Sequence, residues 1–368
     1  MAMKLLRTLV VLAVAVIVLV LAAGLLRGEE RPARDFFGIA PQTAVTPEDV
    51  RHMEAGGIGT MRWPFPWEAI QPDADGPYAW AGIDEVVASA ARGRIRVLPV
   101  LYGSPAWLRP DAAELPVEDE DELAAWSEFV RAAVDRYGRG GDFWRARRAE
   151  PGAALPYVPI REWQIWNEAN FHYFTTPVSP SAYAELVLRS GAEIHRLDPG
   201  ARVVLSGLFG APADGPPRGM PAATFLDRLY AVDGVEAAFD GAALHAYAKD
   251  VETLEALTEE MRETMDENGD EEADLYVTEV GWGSQADSHV SFERGTEGQE
   301  RELRNAYEYL VENRDLLNLE SVYWFTWKDL AGACDFCDSA GLFHEGEGFD
   351  PKPAWEAFVA ASGGRTTP

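Results

Sequence analysis

Cysteine is almost absent: Cys334 and Cys337 are the only two in 368 residues. No disulfide framework can hold the chain together, so the fold must come from a core, and a hydrophobic content of 47% is ample for one. Lysine occurs at only four positions (Lys4, Lys249, Lys328, Lys352), which leaves cationic work to arginine. Charge of one sign dominates, with 61 acidic against 32 basic residues and a formal net charge of −29. Such a surface repels phosphate backbones and anionic headgroups, so nucleic acid is excluded as a partner. The six histidines (52, 172, 195, 245, 289, 344) are scattered without a His-x-His pair, which argues against a metal-dependent hydrolase. No metal or organic cofactor is expected, and no obligatory protein partner is evident. Internal repeats and low-complexity segments are missing too.

Long apolar runs are rare, with one exception. Residues 8–26 are 19 uncharged residues between Lys4/Arg7 and Arg27. At about 1.5 Å per helical residue they nearly match a hydrocarbon core of roughly 30 Å. Two readings stand: an uncleaved membrane anchor, or a cleaved signal peptide with Ala22-Ala23-Gly24 as a weak site. Either places the remainder outside the cytoplasm, with Lys4 and Arg7 inside. Residues 1–27 are therefore read as anchor or signal, 28–34 as a polar tether, and 35–368 as one catalytic-size domain.

Within that domain, strand and helix patterns alternate eight times. Candidate strands are 36–40, 60–63, 97–101, 163–166, 203–206, 242–245, 275–278 and 322–326. Most are continuous apolar runs, as parallel strands covered on both faces require. Helical patterns cover 118–137, 181–197, 251–268, 297–313 and 353–361. Another starts at Thr46-Pro47-Glu48-Asp49, a capping-box pattern with proline at the first helical position, and ends at Gly56-Gly57. This alternation predicts a (β/α)₈ TIM barrel with its site at the strand C-termini. The rival, a doubly wound open sheet, normally has a glycine-rich phosphate turn after its first strand, and Phe37-Gly38-Ile39-Ala40-Pro41 is not one. Segments 207–220 and 329–350 follow strands five and eight and are expected to build the cleft; 139–160 lies on the far side.

Two glutamates stand at strand ends: Glu168 in Trp163-Gln164-Ile165-Trp166-Asn167-Glu168, and Glu279 in Leu275-Tyr276-Val277-Thr278-Glu279-Val280-Gly281-Trp282. Strands four and seven of a barrel would face these carboxyls across its mouth. Cleavage of a glycosidic bond needs such a pair, one protonated to assist the leaving oxygen and one ionised to attack or to activate water.

Trp166-Asn167-Glu168 and Thr278-Glu279-Val280-Gly281-Trp282 resemble the acid/base and nucleophile signatures of clan A glycoside hydrolases, most like family 39, with family 5 close behind. The resemblance spans about residues 35–361. It implies a retaining (β/α)₈ enzyme with Glu168 as proton donor and Glu279 as nucleophile. By the same resemblance Arg62 would hold the nucleophile ionised, and Asn167 would bond the sugar 2-OH. Tyr247 of His245-Ala246-Tyr247 would donate to Glu279, and His245 would shape the site. Trp282 belongs to the second signature and is expected at the substrate. Trp327, preferred over Trp324, would floor the sugar. A retaining pair predicts carboxyls about 5–5.5 Å apart, with the acid's pKa raised and the nucleophile's depressed.

Less specific are Tyr102, Ser104 and Trp107 after strand three, where Tyr102 stands in place of the clan's more usual histidine. Phe171-His172-Tyr173 would line a leaving-group subsite or simply pack its loop. Cys334-Asp335-Phe336-Cys337 reads as a local disulfide shaping the strand-eight loop; a metal site with His344 would be one ligand short.

The sequence thus predicts a retaining glycosidase cleaving β-linked O-glycosides in an oligosaccharide, polysaccharide or glycoconjugate. The alternatives are a transglycosylase using the same pair, or a non-catalytic carbohydrate-binding barrel.

Overall fold

The computed structural model describes residues 31–149, 155–286, 288–332, 334 and 336–368. The anchor or signal segment and the first three residues of the tether, 28–30, lie outside the described residues. Among the described residues no helix is long and apolar enough to cross a membrane. Ala33–Pro368 is one compact unit.

Eight parallel strands close a barrel in chain order. They are β1 Phe37–Ile39, β2 Thr60–Pro66, β3 Arg96–Tyr102, β4 Glu162–Ile165, β5 Arg202–Phe209, β6 Gly241–His245, β7 Asp274–Val280 and β8 Leu319–Trp324. A helix follows every strand: Pro47–Ala55, Ala81–Arg92, Glu120–Tyr137, Pro180–Leu197, Ala222–Tyr230, Val251–Glu267, Thr296–Glu312 and Pro353–Ser362. The helices beginning at Ala81 and Ala222 have no side-chain cap, and so no start signal in the sequence. Segment 139–160 contributes a further short helix, Asp142–Ala149.

Where caps exist, the local chemistry is legible. Thr46 Oγ1 accepts from Asp49 N at 3.2 Å while Asp49 Oδ2 accepts from Thr46 N at 2.8 Å, a reciprocal capping box. The other Asp49 oxygen accepts from Trp327 Nε1 at 2.8 Å and Lys328 Nζ at 3.0 Å. This one aspartate therefore ties the first helix to the chain beyond β8.

The barrel interior is unusually polar beneath the mouth. Tyr323 Oη meets Thr60 Oγ1 at 3.0 Å, and Tyr276 Oη donates to Glu162 Oε1 at 3.2 Å. Gln164 Nε2 donates to the Leu205 carbonyl at 3.0 Å. Leu98, Val204 and Ala243 fill the space between these groups. The larger apolar core lies outside the barrel, between strands and helices, and holds most of the tryptophans.

Candidate active site

Arg62, on β2, organises the floor of the mouth. It is 7% exposed, and each of its three guanidinium nitrogens donates a hydrogen bond. Nε donates to Gln164 Oε1 at 2.6 Å, Nη1 to Glu279 Oε1 at 2.5 Å, and Nη2 to Asn167 Oδ1 at 2.6 Å. A guanidinium only donates, so Asn167 must turn its carbonyl oxygen to Arg62, which leaves its amide nitrogen for the cavity. Tyr247 Oη donates to Glu279 Oε2 at 2.5 Å. Glu279 itself sits inside β7, one residue before its end, paired in register with His245 of β6.

Glu168 arrives by a different route. β4 stops at Ile165, after which Trp166 and Glu168 adopt φ of 69° and 41°. Left-handed backbone costs a non-glycine residue of order 1–3 kcal/mol. Hydrogen bonds on both sides hold the turn in place. Trp166 Nε1 donates to the Phe174 carbonyl at 2.7 Å. Asn170 Nδ2 donates to the carbonyls of Phe209 and Met220, each at 2.7 Å, and its Oδ1 accepts from Phe209 N at 2.9 Å.

His245 lies between the two carboxyls, its Nδ1 2.8 Å from Glu168 Oε1 and 3.4 Å from Glu279 Oε2. Burial, reinforced by Arg62, holds the imidazole well below its ordinary pKa, so it is neutral. Its Nε2 has no partner among the described residues. The backbone of β5 passes close by: a Cβ on Gly207 would come within 2.0 Å of that nitrogen. Glycine is required there, next to a register shift between Val204 and Gly207. The hydrogen bond between Nδ1 and Glu168 Oε1 can run either way, from the ring to a carboxyl oxygen or from a protonated Glu168 to the ring.

Burial pushes the Glu168 carboxyl well above the usual range, and the charge of Glu279 adds to it, opposed by Arg62. Burial also raises Glu279, against the pull of Arg62 and the Tyr247 hydroxyl. The expected depression of Glu279 is therefore not met, because desolvation outweighs its two donors. The order of the pair, Glu168 above Glu279, is the expected one.

Oxygens of the two carboxyls and a ring nitrogen of His245 all lie within 4.8 Å of one another. Such a trio could in principle ligate a metal. The donor set fits poorly, since both Glu279 oxygens already accept hydrogen bonds and a cation would sit against Arg62.

These groups floor a cavity of 720 Å³. Tyr102, Tyr173, Phe174 and Phe209 wall it on the side of Glu168; Phe292, Phe325, Phe336 and the Cys334–Cys337 disulfide wall it on the side of Glu279. Lys352 Nζ, buried, fixes the second wall by donating to Asp329 Oδ1 at 2.6 Å, Ser284 Oγ at 2.8 Å and the Ser339 carbonyl at 2.8 Å.

Two expected site residues are elsewhere. Trp282 is fully buried outside the cavity, its Nε1 donating to the Ala248 carbonyl at 2.8 Å. Trp327 is likewise buried, bound to Asp49 and packed on Phe343 and Trp355. Trp324 also faces away from the cavity, its Nε1 on the Ala340 carbonyl at 3.1 Å. The aromatic that reaches the cavity from this stretch is Phe325, which shares a face with the barrel-lining Tyr323 by simple alternation. Ser104 and Trp107 bond the Glu114 and Gln71 carbonyls instead of lining the site, whereas Tyr102 does line it. Phe171 stacks on Phe209 with centroids 5.2 Å apart, and Tyr173 stands 70% exposed at the rim. Gln164, missed by motif reading, could have been found from its place two residues after Glu162 on one strand face.

No family model matches the chain, and no curated protein matches it. Solved structures do match in fold. A family 39 glycoside hydrolase from Bacteroides cellulosilyticus WH2 superposes with a TM-score of 0.62 at 20% identity, over 91% of this chain and 64% of that one. A glucosidase from Croceicoccus marinus gives 0.63 at 16%, over 90% and 68%. A monomeric β-xylosidase from Caulobacter crescentus CB15 gives 0.60 at 18%, over 89% and 68%. The chain thus spans about two thirds of the length of these proteins, and the likeness at such identity is one of fold.

Proposed function

We propose that the chain is a retaining glycoside hydrolase of clan A type, acting on β-linked O-glycosides. The observation that carries this reading is the closeness of the pair: one oxygen of Glu168 and one of Glu279 lie within 4.8 Å of each other. Retaining pairs stand about 5–5.5 Å apart, whereas inverting pairs need about 6.5–9.5 Å to admit a water between acid and base. Family 39 and other glycosidase structures with this fold support the same class.

The roles follow from environment. Glu279, held by Arg62 and Tyr247, is the more easily ionised and attacks the anomeric carbon. Glu168, raised by burial and by the charge of Glu279, is the carboxyl that holds a proton for the leaving oxygen. His245 Nδ1 occupies Oε1, so Oε2 is the oxygen open to the cavity from which the proton would reach the leaving oxygen. Once the glycosyl-enzyme forms, Glu279 loses its charge, the pKa of Glu168 falls, and Glu168 takes a proton from the incoming water. The free amide of Asn167 would bond the sugar 2-OH, a contact that tightens in the transition state. No step calls for a cofactor.

Extracytoplasmic placement belongs to this proposal. The apolar run 8–26 and the disulfide beside the cavity both suit an oxidising compartment beyond a membrane. The test of the reaction class is proton NMR on the first-formed sugar from aryl β-glycosides. Retained β configuration is expected; an α product would exclude double displacement.

A further inference from the structure

The walls of the cavity carry little for a second sugar to bond. The loop that bears Glu168 also bears Tyr173 and Phe174, and Asn170 of the same loop clamps Phe209 from β5. These aromatics surround the proton donor, so they border the space that the leaving group occupies. Arg62 and Glu279 are committed to each other and to Asn167 and Tyr247. Among the described lining residues, the side-chain hydrogen-bonding groups that remain are the hydroxyls of Tyr102 and Tyr173 on the acid's side and the amide of Gln42 beyond β1. Aromatic faces do stack on pyranose rings. A pyranose leaving group, however, also brings several ring-edge hydroxyls, and each hydroxyl buried without a partner is a penalty. A wall of this composition recognises hydrocarbon. The cavity, at 720 Å³, falls within the range of about 300–1,000 Å³ that holds a drug-sized ligand, leaving room beyond one sugar.

We propose that the leaving-group subsite takes an apolar aglycone: the substrate is an amphiphilic glycoside, a sugar joined to an alkyl or aryl alcohol, and not a chain that continues into further sugars. The inference rests on the hydrolase reading above and narrows it. Bond chemistry is unchanged: Glu168 protonates the aglycone oxygen, the alcohol leaves, and water supplies the new hydroxyl.

The test compares kcat/KM, by release of free sugar from the full chain, for octyl and methyl β-D-glucoside and β-D-xyloside, and for cellobiose and xylobiose. Octanol and methanol are comparable leaving groups, so their difference reports binding. Each methylene buried contributes about fourfold, and three of them roughly 60-fold. The octyl glycoside should exceed both the methyl glycoside and the disaccharide of the same sugar by at least about tenfold. In Tyr173→Ala, which trims an exposed side chain, the octyl-to-methyl ratio should fall. Equal rates for octyl and methyl, or preference for the disaccharide, overturns the inference and leaves the hydrolase intact. Release from none of the six compounds, together with none from the aryl panel, contradicts the hydrolase reading itself.

Discussion

Glu279 lies inside a strand and receives hydrogen bonds from a guanidinium and a phenol; Glu168 lies in a left-handed turn and meets one imidazole nitrogen. Both are nearly excluded from water, at 8% and 7% exposure, so burial alone does not separate them. What separates them is the count and charge of donors. The strand carries one carboxylate to a cation fixed by Gln164 and Asn167, while the turn holds the other where its nearest charge is negative. Two copies of one side chain thereby take different pKa values, Glu168 above Glu279.

Removing either glutamate tests that division. Glu279→Ala should lower kcat by at least about 10⁴-fold on every glycoside, since no other group can attack. Glu168→Ala should cost roughly 10²–10⁴-fold on alkyl glycosides. It should cost far less on 2,4-dinitrophenyl glycosides, whose leaving group needs no proton. Equal losses on both substrates would erase the distinction between the two carboxyls.

The barrel and this pair were legible because each rests on local signals. Apolar runs of strand length, a capping box at Thr46 and two glutamate motifs all carry their meaning within a few residues. The aromatic lining was less so. Trp282 and Trp327 look like sugar platforms in sequence, but in the fold each indole finds a carbonyl or an aspartate in the outer core. Phe336 lines the cavity from the loop after β8, through a conformation that no pattern of spacing encodes, and Phe209 does so from the last position of β5. Gln164 matters only because Arg62 lies across the barrel, a contact between positions 102 residues apart.

Smaller perturbations sharpen the comparison. The acid limb of kcat/KM should report Glu279 losing its proton, and the basic limb Glu168 losing its own. Arg62→Lys breaks the forked contact to Glu279 and Asn167, so the acid limb should move to higher pH by about one unit or more, with the basic limb moving less. A shift of the acid limb to lower pH would contradict the role given to Arg62.

The smallest effect expected is on stability. A carboxyl raised by burial binds its proton more tightly in the folded state than in the unfolded one. Stability is therefore lost as pH rises from the unfolded pKa through the folded one. Glu168→Gln removes that loss. It should melt a few degrees higher than the parent at about pH 8, and close to it at about pH 4, at roughly 2–4 °C per kcal/mol. A Tm advantage that is equal at both pH values would mean that Glu168 does not carry the buried proton.

The most direct measurement is azide rescue of the two alanine variants, with the product's anomeric configuration read by proton NMR. In Glu168→Ala the nucleophile survives, so azide should trap the glycosyl-enzyme and yield the β-glycosyl azide with restored turnover. In Glu279→Ala the cavity left by the nucleophile should admit azide directly, giving only the inverted α-azide. The reverse pairing, or the same configuration from both variants, would contradict the assignment of Glu168 as proton donor and Glu279 as nucleophile.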